Sequence, residues 1–252
     1  MDDGLRILPL RGLPEVQPGD DLAALLVDAA VQPPVEGLRN GDVLVVTHKI
    51  VAKAEGCVVD LRTIEPSPFA LAFAAQWAKD PRQVEVVLRE SKRIVRMDHG
   101  VLISETRHGF ICANAGVDRS NTGSPDTVVT LPAAPDATAR VIRDRVLEGT
   151  GAHLAVLVSD TFGRAWREGL TNVAIGCAGL NPLRDERGQA DPQGYVLGAS
   201  ILAVADELAA AAELVMGKLD GVPAAVVRGY AYEAGETGAR ALVRPPERDM
   251  FR

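Results

Sequence analysis

The sequence predicts a mixed α/β (α+β) fold, and three observations carry that expectation. Short β-branched runs of strand length, such as residues 43–46 and 154–158, alternate with stretches of helical apolar periodicity. Polar residues cluster directly after those runs, where open α/β sheets tend to place ligands. Hydrophobic residues make up 47% of the 252 and charged residues 24%, which is enough to bury a core without disulfide or metal staples.

In chain order, residues 7–10 read as a short apolar strand that Gly12-Leu13-Pro14 breaks. Asp20-Asp21 then precedes Leu22, Leu25, Leu26 and Ala29 at helical spacing, the pattern of a capped helix. Gly41-Asp42 opens a strand over 43–46, whose end delivers Thr47, His48, Lys49 and then Lys53 in a turn or helix closed by Gly56. Residues 66–78 predict a helix, with Phe69, Phe73 and Trp77 spaced for packing against a core. Over 84–113, β-branched runs at 84–88, 101–104 and 110–113 are divided by a basic segment and by Arg107-His108-Gly109, and read as a helix and hairpin strands. The basic cluster of Arg89, Lys92, Arg93 and Arg96 suits one solvated helix face. Residues 120–126 mark a loop and 137–147 a helix. A buried strand at 154–158 runs into a polar loop at 159–164, and 171–178 is apolar but broken by Gly176 and Gly179. An exposed excursion at 181–193, an Ala-rich helix at 200–216 and a strand at 223–228 complete the pattern.

The 27 Lys+Arg against 34 Asp+Glu give a formal net charge of −7, which argues against a general nucleic-acid binder. Cys57, Cys112 and Cys177 are odd in number and widely separated, which disfavours a disulfide framework or a zinc site and suits a reducing cytoplasm. The acidic start Met1-Asp2-Asp3-Gly4 lacks a secretory pattern, and no apolar run approaches the ~20 residues that span a bilayer. The expected location is therefore cytoplasmic. Phosphate-loop, dinucleotide-turn, zinc-protease and serine-hydrolase signatures are missing, and His48, His99, His108 and His153 have no metal-ligand spacing.

Two polar clusters remain. In Asn114-Ala115-Gly116-Val117-Asp118-Arg119-Ser120-Asn121, Asp118 and Asn121 either aim oxygens at a hard cation or its phosphates, or form a turn with Asx hydrogen bonds. In Ser159-Asp160-Thr161-Phe162-Gly163-Arg164, a carboxylate and a hydroxyl leave a strand beside Arg164 and Arg167. That grouping suits a metal–nucleotide site or, equally, a helix N-cap. Lys49 and Lys53 offer point charges for phosphate or are simply solvated.

Taken in order, four segments resemble the coenzyme F420-0:γ-glutamyl ligase family. They are Val45 through Gly56 (VVTHKIVAKAEG), Asn114 to Asn121, Ser159 to Arg164 with Trp166-Arg167-Glu168-Gly169, and Ala203-Val204-Ala205-Asp206-Glu207-Leu208 with Met216-Gly217-Lys218. The likeness runs from Leu8 to about Phe251. It implies an α/β fold of two intertwined lobes occupying residues 1–252, and a homodimer with the site near the subunit interface. It also implies GTP-driven joining of L-glutamate to the phospholactyl carboxylate of F420-0, followed by γ-linked extension through an acyl phosphate. Metal-binding positions of the family match Asp118, Asp160 and Thr161, and GTP-contacting positions match Leu13, Pro14, Glu15, Val16, His48, Lys53 and Asn121. The metal would be Mg2+ or Mn2+, as two divalent ions, with K+ as an accessory ion. At His48 the family usually has a small hydroxyl residue, and where some relatives have an acidic ligand after Met216-Gly217 this chain has Lys218. Arg164 and Arg167 are candidates for charge stabilisation at phosphoryl transfer, or for a structural salt bridge. Some relatives carry a fused C-terminal flavin-binding domain beyond a motif like Glu247-Arg248-Asp249-Met250. Rival readings are another nucleotide-dependent carboxylate–amine ligase and a non-enzymatic nucleotide- or flavin-binding module.

Overall fold

A computed structural model of the chain describes residues 4–120 and 122–250. The edge strand β1 (Arg6–Pro9) leads to helix α1 (Leu22–Ala30), whose first turn is capped by the Asp21 carboxylate accepting from the Ala24 N–H. The buried strand β2 (Val43–Thr47) passes without a loop into α2 (His48–Ala54). After β3 (Val58–Asp60) come α3 (Pro68–Trp77) and α4 (Pro81–Glu90), each with a proline in its first turn and a side-chain cap, from Ser67 and Asp80 respectively. Strands β4 (Ser91–Asp98), β5 (Val101–Thr106) and β6 (Ile111–Ala113) form an antiparallel sheet, and β7 (Thr127–Val129) pairs with β3. The long helix α5 (Pro135–Thr150) precedes the hairpin of β8 (Ala155–Arg164) and β9 (Arg167–Ala178). Short β10 (Arg184–Asp185) and β11 (Ile201–Leu202), helix α6 (Val204–Met216) and β12 (Ala224–Arg228) follow.

The main sheet has the order β1-β12-β2-β8-β9, in which only β2 and β8 run parallel. Alternation splits its side chains between two cores. Leu44, Val46, Val156, Val158 and Val226 pack under α1, α2 and α5, while Val43, Val45, Leu157 and Val227 pack under α6. A third cluster, with Leu61, Phe73, Val84, Val87, Leu102 and Val128, forms the core of a smaller lobe lying between β3 and β7.

Residues 84–88 form the expected helix, because Val84, Val87 and Leu88 reach the small-lobe core at helical spacing and that packing outweighs β-branched propensity. Other expectations need correction. The basic cluster is not a helix face. Only Arg89 lies on α4; Lys92, Arg93 and Arg96 lie on β4, where Lys92 and Arg93 meet Glu105 across the hairpin at 3.0 and 2.7 Å. Of the aromatic row on α3 only Phe73 is buried, and Phe69 is 43% exposed. The polar segment 159–164 is not a loop. It continues β8, since β9 supplies a ladder as far as Gly163↔Leu170 and Arg164↔Arg167, so no helix N-cap forms at Asp160 or Thr161.

Candidate functional site

The parallel pairing sets Thr47 opposite Ser159, so the residues that follow Thr47 emerge beside Asp160. On β8, Asp160 and Phe162 continue the face of Val156 and Val158, whereas Thr161 continues the face of Leu157. Adjacent in sequence, Asp160 and Thr161 therefore serve opposite sides of the sheet. On the first side, His48 Nε2 lies 3.3 Å from Asp160 Oδ1, and Asp160 Oδ1 accepts the Thr161 N–H at 2.7 Å. On the α6 side, Thr161 Oγ1 donates to Asn172 Oδ1 at 2.6 Å and accepts from Lys218 Nζ. Asn172 Nδ2 in turn donates to Glu213 Oε2 at 2.8 Å, and Lys218 Nζ stands 3.9 Å from Glu213 Oε1.

The small lobe contributes Asp118. After β6, Asn114 and Ala115 both take left-handed backbone conformations, at φ 53° and 52°, and turn the chain sharply. The Asp118 backbone then pairs with Val129 in both directions, at 3.0 and 2.8 Å, which fixes the side chain over α2. Its carboxylate meets Lys49 Nζ at 2.8 Å and accepts from the Ser120 N–H at 2.7 Å and Ser120 Oγ at 3.0 Å. Burial pushes the Asp118 pKa up, but Lys49 and the Ser120 hydrogen bonds outweigh it and hold the group below the usual carboxylate range. Asp118 thus makes the Asx turn and an inter-lobe ion pair together. Asn121 lies outside the described residues.

His48 is 1% exposed. Burial pushes its pKa below the ordinary 6.5, against the pull of Asp160 and Asp118, so the ring is neutral at neutral pH. Lys53 is covered by the Glu15 carboxylate, and the Gly19 N–H donates to the Ala54 carbonyl at 2.9 Å, so residues 13–19 lie along the far end of α2. In that segment Val16 is buried, Leu13 packs at the core edge, and Pro14 and Glu15 are exposed. An open cavity of about 520 Å³ adjoins it, lined by Gly19, Val51, Glu55, Thr138 and Arg145.

Arg164 and Arg167 stand at the exposed tip of the β8–β9 hairpin, where Arg164 Nη2 donates to the Glu168 carbonyl at 2.6 Å. Four residues of strand, about 13 Å, separate Arg164 from Asp160. The structure therefore gathers Asp118, Asp160, His48 and Lys49, sets Thr161 on the reverse face, and leaves the two arginines beyond. Ser120 comes with the Asn114–Asn121 cluster, whereas Asn172 and Glu213 join these groups without any local motif to announce them.

Two carboxylates with unfilled positions suit a hard divalent cation shared with phosphate oxygens. Among the described residues no group of three or more His, Cys, Asp or Glu is placed to hold a metal ion by itself. Also among them, no helix is long and apolar enough to cross a membrane.

Comparison with known proteins adds a second line of argument. The profile of the family described as F420-0:Gamma-glutamyl ligase matches residues 12–229. A protein of Methanothermobacter thermautotrophicus named coenzyme F420:L-glutamate ligase is 47% identical over 253 residues, covering 99% of each chain. Proteins of the same name from Methanopyrus kandleri, 47% identical over 98% of each chain, and Methanocaldococcus jannaschii, 40% identical over 90% of each, are also similar.

Proposed function

The chain belongs to the F420-0:γ-glutamyl ligase family, and from that premise we propose that it joins L-glutamate to the carboxylate of coenzyme F420-0 and extends a γ-linked tail at the expense of GTP. The names of the relatives support glutamate ligation to F420. The observation that carries the rest is the meeting of Asp118 from the small lobe and Asp160 from the main sheet around His48 and Lys49.

In this reading Leu13 to Val16, Lys53 and Asn121 receive the nucleotide. Phosphate oxygens replace Glu15 on Lys53, since that carboxylate is 72% exposed and free to swing away while the lysine stem is held. Asp118, Asp160 and an oxygen of Thr161 would hold Mg2+ or Mn2+, which supplies charge neutralisation between the triphosphate and the acceptor carboxylate. A carboxylate is a poor acyl donor. Transfer of the γ-phosphoryl group to F420-0 yields an acyl phosphate and GDP; the glutamate amine attacks its carbonyl carbon, the C–O bond breaks, and phosphate leaves with the amide formed. Lys49 and Lys53 place positive charge along this path, and no side-chain nucleophile is required. The working unit is proposed to be a cytoplasmic homodimer.

Incubation with F420-0, GTP, Mg2+ or Mn2+ and L-glutamate, read by mass spectrometry, should give products heavier by whole glutamyl residues. Asp160→Asn should lose that turnover with an unchanged circular dichroism spectrum. GTP hydrolysis only with a different carboxylate would replace this reading with another ligase, and full activity in Asp160→Asn would remove the metal role of that residue.

A further inference from the structure

One side chain at the β2–β8 junction is not accounted for by the ligands named above. His48 opens α2 with both ring nitrogens buried, and neither has a hydrogen-bond partner among the described residues. Its Nε2 stands 3.3 Å from Asp160 Oδ1, within reach of a hydrogen bond yet not aligned for one. Buried polar atoms in native proteins are almost always paired, and an orphan calls for a water or an ion. Two ligand atoms at right angles on one cation, with bonds of about 2.1 Å, stand about 3 Å apart. The His48–Asp160 separation has that size.

Two neighbouring groups are otherwise engaged. Lys49 Nζ is held by Asp118 and Ser120, and Thr161 Oγ1 is turned to Asn172 on the opposite face of the sheet. The remaining imidazoles are placed elsewhere. His99 pairs with Asp98, His108 Nε2 faces the Pro132 carbonyl, and His153 precedes the opposite end of β8.

We infer that His48 Nε2 and Asp160 Oδ1 are adjacent ligands of one divalent cation. The inference rests on the reading of Asp160 as a metal ligand. It makes the donor set mixed nitrogen and oxygen, which favours a first-row transition-metal dication over Mg2+, since Mg2+ takes oxygen ligands and keeps its waters. A histidine here, in place of a small hydroxyl residue, then sets metal preference rather than touching nucleotide.

The test uses the full chain, stripped of metal and titrated with Mn2+ alone, so that no nucleotide nitrogen is present. Electron spin-echo modulation of the bound Mn2+ should show 14N coupling that converts to the 15N pattern when histidine is 15N-labelled. The coupling should vanish in His48→Ser and in His48→Asn, whose similar shape guards against collapse of the site. Each variant should bind Mn2+ at least about tenfold more weakly, while Mg2+ affinity changes less than about threefold. If Mn2+ binds, is lost in Asp160→Asn, and carries no histidine coupling in the wild type, the inference is overturned and the role of Asp160 stands. If the wild type does not bind Mn2+, or Asp160→Asn binds it as tightly, both fall.

Discussion

A protonated His48 has no comfortable place in the metal-free fold. Burial lowers its pKa below 6.5 although Asp160 and Asp118 favour the cation, with Lys49 and Lys218 adding to the burial effect. The unfolded chain therefore binds a proton that the folded chain refuses in the window from 6.5 down to the lowered folded value. Stability rises with pH across that window and is lost as pH falls through it, by up to about 1.4 kcal/mol per pH unit. Urea unfolding of metal-free protein between pH 7.5 and 5.5 should show a steeper loss for the wild type than for His48→Ser, and parallel curves would contradict a buried neutral imidazole. At this scale much of the site was legible. Asp118, Asp160, His48 and Lys49 stand at the ends of apolar runs, and a residue after a strand is visible to any reader of periodicity. Asn172 and Glu213 were not, because they lie 41 positions apart with nothing in the sequence to pair them, and only the packing of α6 on β9 unites them.

Among the elements, the β8–β9 hairpin is where hydropathy misleads. The apolar run stops at Val158, and with it any sign of a strand, yet the ladder continues because backbone pairing with β9 does not depend on side-chain polarity. The register shifts between Val158↔Gly176 and Ser159↔Ala174, leaving Ile175 as an extra residue, and the Ala174 N–H is taken by Asp206 Oδ1 of α6 at 2.9 Å. Gly176 beside that bulge allows α5 to approach. A Cβ there would lie 2.5 Å from the Pro135 carbonyl oxygen and 2.6 Å from its carbon, both backbone atoms that cannot rotate away. Gly176→Ala should lower stability by about 1–3 kcal/mol, read from the urea midpoint at unchanged slope. Gly149, helical, exposed and with nothing near its Cβ position, is the control: Gly149→Ala should raise stability by about 0.5–1 kcal/mol. Equal effects of the two would show that propensity, not the close contact of α5 with β9, decides at residue 176.

For the whole molecule, the charge of −7 is no guide to the site, where Lys49, Lys53 and Lys218 stand against the carboxylates of Asp118, Glu15 and Glu213 although the proposed substrates are all anionic. The mixed α/β class follows from alternating periodicities, and the structure bears it out; the small lobe does not stand out in the sequence, because its core draws on scattered residues from Leu61 to Val128 that only long-range pairing assembles. That division has a mechanical consequence. Asp118 belongs to the small lobe and Asp160 to the main sheet, and Asp118 reaches the main lobe through the Lys49 ammonium of α2, a partly exposed pair whose worth is modest. A cation held by both carboxylates would tie the lobes more firmly and would be absent from the unfolded chain. At a free concentration of a hundred times its dissociation constant, such an ion adds about 2.7 kcal/mol. For a chain of this size that raises Tm by roughly 5–11 °C. Asp118→Asn should remove most of the Mn2+-dependent rise, and the mutual Asp118–Val129 amide bonds should gain hydrogen-exchange protection on metal addition only when both carboxylates are present. A full shift in Asp118→Asn would confine the ion to the main sheet and release the small lobe from the metal site.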